Sequence, residues 1–225
     1  MKSFVRKGIA YQNGQQIMDR RECGLIWMSA GNSYFSENVI RELILFAKDN
    51  FSTIIVAAPD IPAEHTYLAL GYSESESKRK ARLNANLLRN RAQRAIKQLE
   101  QENISSLLLV VDWSKDVEPN EFYQKAYKKV CQLYDENEFF KKDALLTTLQ
   151  VLRKKINITE DMEKTLNEGV FYLLKELAFI IALPFLFNVN NVAYLYHRNW
   201  PIYEKFISGK YDGEIKKNLG FVIVK

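Results

Sequence analysis

The chain has 225 residues, of which 47% are hydrophobic and 26% charged, and it carries a formal net charge of +5. This composition excludes a disordered chain, and the length suits one folded domain over residues 1–225. The positive charge permits a polyanionic partner without requiring one. Cys23 and Cys131 have neither metal-like nor redox-like spacing, so we predict ordinary reduced cysteines in a cytoplasmic protein.

No targeting or membrane-spanning segment is predicted. Residues 1–22 are polar and basic and contain no apolar core, which excludes a secretory signal. The longest apolar stretch, 177–187, is interrupted by Pro184 and is too short to span a bilayer. We therefore expect no association with a membrane.

Short apolar runs alternate with helical patterns along the chain. The predicted strands are 24–28, 53–58, 106–111, 192–196 and 221–224. The predicted helices are 37–51, a short one within the loop 61–70, then 73–100, 120–134, 138–155, 159–183 and a short one from Pro201. Ser36, a capping box of Ser73 with Glu76, and Thr159 mark three helix starts.

This alternation predicts an α/β fold. We expect a single Rossmann-like domain with a mainly parallel five-stranded sheet and helices on both faces. Two extra helices between the third and fourth strands form a helical insertion.

The turn after the first strand is the first candidate site. Its sequence is Ser29-Ala30-Gly31-Asn32-Ser33-Tyr34-Phe35. Open α/β sheets place reactive or ligand-binding groups at the carboxyl ends of strands. Trp27 stands where the α/β-hydrolase elbow requires glycine, so the hydrolase signature is absent. A turn serine without chemistry is the simpler alternative, and Asn32 either orients a substrate group or is a turn residue.

A second candidate group lies on the predicted helix 159–183. Tyr172 and Glu176 are four residues apart and therefore share a face, with Phe179 on the same side. A carboxylate within this apolar run is costly unless it is paired, and an α-amino group is a suitable cationic partner. Alternatively, Lys175 and Glu176 are an outward-facing ion pair on a half-buried helix.

The fourth strand ends in further polar aromatic residues. Tyr194 and Tyr196 alternate onto one face, and His197 follows directly. Because Ser29 and Tyr196 both lie at carboxyl ends of strands, we expect them to meet in one crevice. A structural role is the alternative for His197, and His65 lies in a predicted loop with no partner pattern.

The predicted helix 73–100 is strongly basic on one side. An apolar stripe runs along it at Ala81, Ala85, Leu88, Ala92, Ala95 and Leu99, and no acidic residue occurs in 77–99. The basic residues are Lys78, Arg79, Lys80, Arg82, Arg89, Arg91, Arg94 and Lys97. This pattern favours contact with the phosphate backbone of a structured RNA, because aromatic residues for stacking on single strands are missing.

Taken together, these motifs resemble those of the cyclodipeptide synthases, which build a diketopiperazine from two aminoacyl-tRNAs. The resemblance rests on the segment from Ser29 to Phe35, on Tyr172 with Glu176, and on Tyr196 with His197. Asn32, Tyr196 and His197 match the Asn-Tyr-His branch of that family. The resemblance implies a fold similar to the catalytic domains of class I tyrosyl- and tryptophanyl-tRNA synthetases, and a basic helix that binds tRNA.

The resemblance also implies a mechanism. Ser29 accepts the first aminoacyl group, Tyr172 and Glu176 hold its α-ammonium, and Tyr196 relays a proton in ring closure while Asn32 and His197 orient nearby groups. The ATP motifs of the synthetases are absent, so neither ATP nor a metal is expected. The expected partners are aminoacyl-tRNAs, and we expect a monomer.

The pocket for the first amino acid is predicted from residues on the same faces. They are Leu25, Trp27, Ile55, Phe179 and Tyr194. Family members often have a small residue two positions before the nucleophile, so Trp27 is predicted to disfavour a large first amino acid. Two other functions stay open: a non-catalytic RNA-binding Rossmann-like module, and a serine esterase or aminoacyl-tRNA hydrolase.

Overall fold

The computed structural model describes residues 8–10, 13–100, 107–153 and 162–224. Strands and helices alternate along the chain. The strands are β1 (Gly8–Ala10), β2 (Cys23–Trp27), β3 (Thr53–Ala57), β4 (Leu107–Val111), β5 (Val192–Tyr196) and β6 (Leu219–Val224). The helices are α1 (Gly14–Asp19), α2 (Glu37–Asn50), α3 (Ile61–Ala69), α4 (Glu74–Glu100), α5 (Glu121–Glu136), α6 (Glu138–Leu152), α7 (Met162–Leu186) and α8 (Pro201–Ile207). A π-helical turn, Trp113–Val117, follows β4.

The sheet has the strand order β1-β6-β5-β2-β3-β4. The five predicted strands, β2 to β6, run parallel, which confirms the predicted α/β Rossmann-like fold. From β2 the chain crosses to β3 on one side and returns later to β5 on the other. Ligands of open parallel sheets bind at such a switch point, outside the carboxyl ends of the strands.

The central strands are apolar on both faces because helices cover both sides of the sheet. Every residue of β2, β5 and β6 is buried, and Leu25, Ile26 and Trp27 are fully so. Continuous apolar runs are typical of parallel strands in this position. On α4 the predicted apolar stripe is confirmed, since all six of its residues are buried.

The capping predictions inside the described ranges are confirmed. The Ser36 side chain accepts a hydrogen bond from the Val39 N–H at the start of α2, and the Ser73 hydroxyl accepts from the Glu76 N–H at 3.4 Å. The predicted cap Thr159 and the predicted ends at Ser106 and Lys155 lie outside the described residues.

Several elements differ from the sequence prediction. The edge strand β1 pairs antiparallel with β6. Neither β1 nor α1 was predicted, because three residues in β1 and six in α1 are too few to show the apolar period of a strand or a helix. α3 is a nine-residue helix whose start is capped by the Asp60 side chain, with Pro62 in the first turn where proline is tolerated. α7 continues past Pro184 to Leu186.

The long helix α7 occupies the core. Both Lys175 and Glu176 are buried, with 8% and 4% of their surfaces exposed. Within the described ranges, α7 alone is long and apolar enough to cross a membrane by length and composition, and 67% of its most apolar window is buried inside the protein. One such helix is weak evidence for a membrane span, because a buried core helix of a globular protein has the same length and composition.

Candidate active site

Ser29 lies two residues beyond the end of β2, where the chain turns towards α2. The Asn32 N–H donates to the Ser29 carbonyl at 3.1 Å, and the Asn32 side-chain oxygen accepts from the Tyr34 N–H. Gly31 has a φ of +76°, and a Cβ there would lie 3.0 Å from the Tyr67 hydroxyl. The turn therefore needs glycine at this position and presents the half-buried Ser29 hydroxyl at the sheet edge.

The Ser29 hydroxyl meets the Tyr196 phenol, as the strand ends predicted. The Ser29 Oγ and Tyr196 Oη atoms are 3.0 Å apart. Burial raises the pKa of Tyr196 to about 12, although its hydrogen bond with Ser29 opposes that rise. The phenol is therefore protonated at neutral pH and is able to donate or pass on a proton.

Tyr172 approaches the same hydroxyl from α7. Burial raises the pKa of its phenol well above the usual range, while hydrogen bonds with Ser29 and Trp27 lower it. The Trp27 Nε1 donates to the Tyr172 Oη at 3.1 Å. The Tyr172 and Tyr196 phenols thus line the same cavity as Ser29.

Glu176 points into the protein and not outward. Its carboxylate accepts hydrogen bonds from the Tyr194 and Tyr203 phenols. Burial outweighs these hydrogen bonds and raises the pKa of Glu176 to about 7. Lys175 faces elsewhere: its Nζ lies 3.7 Å from a carboxylate oxygen of Glu118, so the alternative of a Lys175–Glu176 surface pair does not hold.

His197 is an aromatic contact of the Ser29 turn. Its ring stacks on Tyr34 with centroids 3.8 Å apart and meets Phe35 edge-on at 5.6 Å. Neither ring nitrogen has a hydrogen-bond partner among the described residues. Burial, reinforced by the charge of Arg198, lowers the pKa of His197 to about 4, so the ring is neutral at pH 7.

A cavity of about 320 Å³ joins these groups. Ser29, Asn32, Tyr172, Glu176 and Tyr196 all line it, and His197 does not. Part of the cavity wall was not predicted from the sequence: it comes from the end of α6 and from the segment after β5. These residues include Thr147, Thr148, Gln150, Arg198, Trp200 and Tyr203. No motif or spacing marks them in the sequence, since α6 reaches the site only by packing against α7.

The five residues predicted to form the first pocket do not line this cavity. Leu25, Trp27, Ile55, Phe179 and Tyr194 are at most 2% exposed. The Trp27 ring lies 5.5 Å from Phe179 and 6.3 Å from Tyr194, and these rings fill the space. Strand alternation correctly indicated that the β2 and β5 side chains of this set lie on one face of the sheet. The rings themselves, however, occupy the space in which the pocket was expected.

The basic side chains of α4 do not form one free surface. Arg89 pairs with Asp60 at 3.1 Å and is only 14% exposed, and Arg91 donates to the Phe35 carbonyl at 2.8 Å. Arg94 pairs with Glu37 at 2.8 Å. Lys78 bonds to Glu74, and Lys80 lies over the Tyr72 ring at 4.4 Å. The exposed basic residues of the predicted set are Lys78, Arg79, Arg82, Arg94 and Lys97.

The remaining polar candidates lie away from Ser29. His65 is in α3, not in a loop, and its Nδ1 is 2.7 Å from Glu168. Cys23 is buried and Cys131 half-buried, both as free thiols. Across the described ranges, no group of three or more His, Cys, Asp or Glu residues is arranged to hold a metal ion.

Comparison with known proteins places the chain among related sequences. A family model for cyclodipeptide synthase matches residues 9–225. The cyclo(L-leucyl-L-leucyl) synthase of Bacillus subtilis (strain 168) is 27% identical over 227 residues, which covers 99% of this chain and 89% of that protein.

Solved structures share the fold. A cyclodipeptide synthase from Bacillus thermoamylovorans aligns with a TM-score of 0.81 at 24% identity, over 99% of this chain and 97% of the other. A Mycobacterium tuberculosis protein, whose structure relates cyclodipeptide synthetases to type I tRNA synthetases, aligns with a TM-score of 0.79 at 24% identity, over 97% and 92% of the two chains.

Proposed function

Because the chain belongs to the cyclodipeptide synthase family, we propose that it joins aminoacyl groups from two aminoacyl-tRNAs into a cyclic dipeptide through an aminoacyl-Ser29 intermediate. The observation that carries this proposal is the 3.0 Å contact between the Ser29 Oγ and the Tyr196 Oη in the wall of a cavity that also holds Glu176. A nucleophilic serine needs a neighbouring group that takes up its proton. We also propose that the chain belongs to the Asn-Tyr-His branch of the family, on the basis of Asn32, Tyr196 and His197.

The first step transfers an aminoacyl group from its tRNA to Ser29. The Oγ attacks the ester carbonyl, the bond from Oγ to the carbonyl carbon forms, and the bond to the ribose oxygen breaks. The proton of the serine ends on the departing ribose oxygen. Tyr196, whose Oη lies 3.0 Å from the Ser29 Oγ, is placed to pass that proton.

Tyr172 and Glu176, which line the cavity with Ser29, hold the α-ammonium of this aminoacyl group. Glu176 supplies the charge. Its pKa of about 7 belongs to a buried carboxylate without a cation. A bound ammonium stabilises the charged form and draws the pKa down again. The Tyr194 and Tyr203 phenols keep two hydrogen bonds on the carboxylate, which fixes its direction.

In the second step the α-amine of the aminoacyl group on Ser29 attacks the ester carbonyl of another aminoacyl-tRNA. The new peptide bond forms as the bond to the ribose oxygen breaks, which leaves a dipeptidyl-enzyme and takes the proton of the amine to that departing oxygen. The free amine of the dipeptide then attacks its own ester, which closes the ring and releases Ser29. Tyr196 relays the proton between the attacking amine and the departing serine oxygen. Each ester supplies its own driving force, so the reaction needs neither ATP nor a metal.

The exposed cations of α4 bind tRNA through its phosphates. Arg79, Arg82 and Lys97 are exposed members of this set. Phosphate contacts position a nucleic acid without reading its sequence. Since charged tRNA is found in the cytoplasm, we place the enzyme there, acting as a monomer.

Trp27 disfavours a large first amino acid. Trp27 fills the space beneath Ser29 together with Phe179 and Tyr194, so little room is left on that side of the nucleophile. The Bacillus subtilis relative makes cyclo(L-leucyl-L-leucyl). A product mixture dominated by phenylalanine or tyrosine would contradict this assignment.

Expression in bacteria, followed by mass spectrometry of the medium for diketopiperazines, tests the proposal. A Ser29→Ala variant is the control, and we expect it to release no cyclic product. An aminoacyl-tRNA hydrolase would release free amino acids instead. A non-catalytic RNA-binding module would release no cyclic dipeptide, so the media of the unsubstituted protein and of Ser29→Ala would have the same composition.

A further inference from the structure

The indole of Trp27 contacts the active site from behind the cavity wall. Its side chain is fully buried, and its Nε1 donates to the Tyr172 phenol oxygen at 3.1 Å. An indole N–H can donate a hydrogen bond but cannot accept one. In this contact the Tyr172 oxygen is therefore the acceptor, and the phenol keeps its own proton for another partner.

The neighbouring partner is the nucleophile itself. Tyr172 and Ser29 line the same cavity, the Ser29 hydroxyl lowers the pKa of the Tyr172 phenol, and the Ser29 Oγ lies 3.0 Å from the Tyr196 Oη. When Tyr172 donates its proton to the Ser29 oxygen, the single proton of the serine is left to point at Tyr196. The Trp27 N–H favours this direction because it already occupies one acceptor site of the Tyr172 oxygen.

We propose that Trp27 is a positioning residue that sets the hydrogen-bond direction from Tyr172 to Ser29 to Tyr196 before the substrate arrives. This inference rests on the proposed acyl transfer to Ser29. During that step the Ser29 proton passes to the Tyr196 oxygen, and Tyr196 passes its own proton to the departing ribose oxygen. The bond from Oγ to the carbonyl carbon forms as the bond from that carbon to the ribose oxygen breaks.

The surroundings of Trp27 hold the indole in one orientation. Its backbone lies in β2, in register with Ala57 of β3, and its ring packs against Phe179 at 5.5 Å and edge-on against Trp113 at 6.1 Å. Trp113 is fixed in turn, because its Nε1 donates to Glu118 at 2.9 Å. A group held by a strand and by close-packed rings is preorganised.

Trp113 also provides a matched control. It is a buried indole of the same aromatic cluster, it donates one hydrogen bond, and that bond goes to Glu118 instead of a phenol at the nucleophile. Trp113→Phe thus repeats the loss of ring area and of one N–H without touching the Tyr172 oxygen. Trp27→Phe removes the donor that faces Tyr172 and keeps an aromatic ring.

Single-turnover acylation, followed by intact-protein mass spectrometry, measures the effect. We expect Trp27→Phe to slow acylation of Ser29 about tenfold, as the loss of one directing hydrogen bond does, with an unchanged half-saturating concentration of aminoacyl-tRNA. The acylation rate of Trp113→Phe should stay within about threefold of that of the unsubstituted protein, at matched thermal stability. Equal slowing in both variants, or none in Trp27→Phe, overturns the proposal.

The hydrogen bond itself is tested without catalysis. The chain contains three tryptophans, and substitution of Trp113 and Trp200 assigns their indole ¹⁵N–¹H resonances in NMR spectra. We expect Tyr172→Phe to shift the Trp27 indole resonance upfield while that of Trp113 stays in place. An unmoved Trp27 resonance overturns the proposal even if Trp27→Phe fails to fold. If the unsubstituted protein is never acylated, the proposed function fails, and the NMR result still decides the hydrogen bond.

Discussion

The Ser29 Oγ lies 3.0 Å from the Tyr196 Oη although 167 positions separate the two residues. The contact exists because β2 and β5 are parallel neighbours, with Leu25 opposite Tyr194 and Ile26 opposite Leu195. Both side chains therefore emerge at the same edge of the sheet.

Removal of the Tyr196 hydroxyl should impair catalysis without unfolding the protein. Proton transfer by a positioned side chain contributes typically 10²–10⁴-fold to a rate. We expect Tyr196→Phe to lower cyclic dipeptide formation about 100-fold or more, at a melting temperature within a few degrees of that of the unsubstituted protein. Product formation at the original rate would remove Tyr196 from the mechanism.

His197 should tolerate replacement by another flat ring. Neither of its ring nitrogens has a hydrogen-bond partner among the described residues, and the ring stacks on Tyr34 at 3.8 Å. We expect His197→Phe to keep most of the activity and His197→Ala to lose about tenfold or more, because only the alanine removes the stacking surface. Steady-state rates of purified variants decide this. Equal losses in both would assign a chemical role to the imidazole.

The buried Glu176 should make stability depend on pH. Its pKa rises from 4.5 to about 7 on folding because burial disfavours the charged form. Between those two values the unfolded state has lost the proton and the folded state keeps it, so stability falls as pH rises through this window and levels off above 7. The total loss is on the order of 3 kcal/mol. Glu176→Gln removes this titration.

Denaturant unfolding at pH 5 and pH 7.5 measures the effect. The unsubstituted protein should lose stability between the two pH values by clearly more than Glu176→Gln does. Parallel pH profiles would show that Glu176 titrates in the folded protein as it does in the unfolded chain.

The basic residues of α4 should separate into two classes. In the first class, we expect substitution by alanine to raise the KM for every aminoacyl-tRNA alike and to make that KM less dependent on salt. The melting temperature should change little. This class contains Arg79, Arg82 and Lys97. Alanine at Arg89 should lower the melting temperature, because Asp60 loses its partner in a pair that is only 14% and 12% exposed. A loss confined to one amino acid in the first class would contradict backbone binding.

Arg91 belongs with the structural class for a different reason. Its guanidinium donates to the Phe35 carbonyl at the end of the Ser29 turn, at 2.8 Å. Helical spacing showed that α4 has a basic side, but it gave no partner for any single arginine. The partners come from α2 and from the loops that pack against α4, and these contacts are tertiary.

The sequence predicted the framework of the site better than its cavity. The ends of β2 and β5 placed Ser29 and Tyr196 together, because strand direction and alternation follow from local patterns. The filled space around Trp27 could not be read in the same way, since it depends on how the rings of Phe179 and Tyr194 pack. Thr148 joins the cavity wall only through the packing of α6 against α7.

Acyl transfer through Ser29 is tested by the mass of the enzyme after brief mixing with a single aminoacyl-tRNA. We predict one added aminoacyl group, mapped by peptide analysis to the segment containing Ser29, and its disappearance as cyclic dipeptide forms. Ser29→Ala should show neither the adduct nor the product. Cyclic dipeptide formed by Ser29→Ala at the rate of the unsubstituted protein would contradict acyl transfer through Ser29.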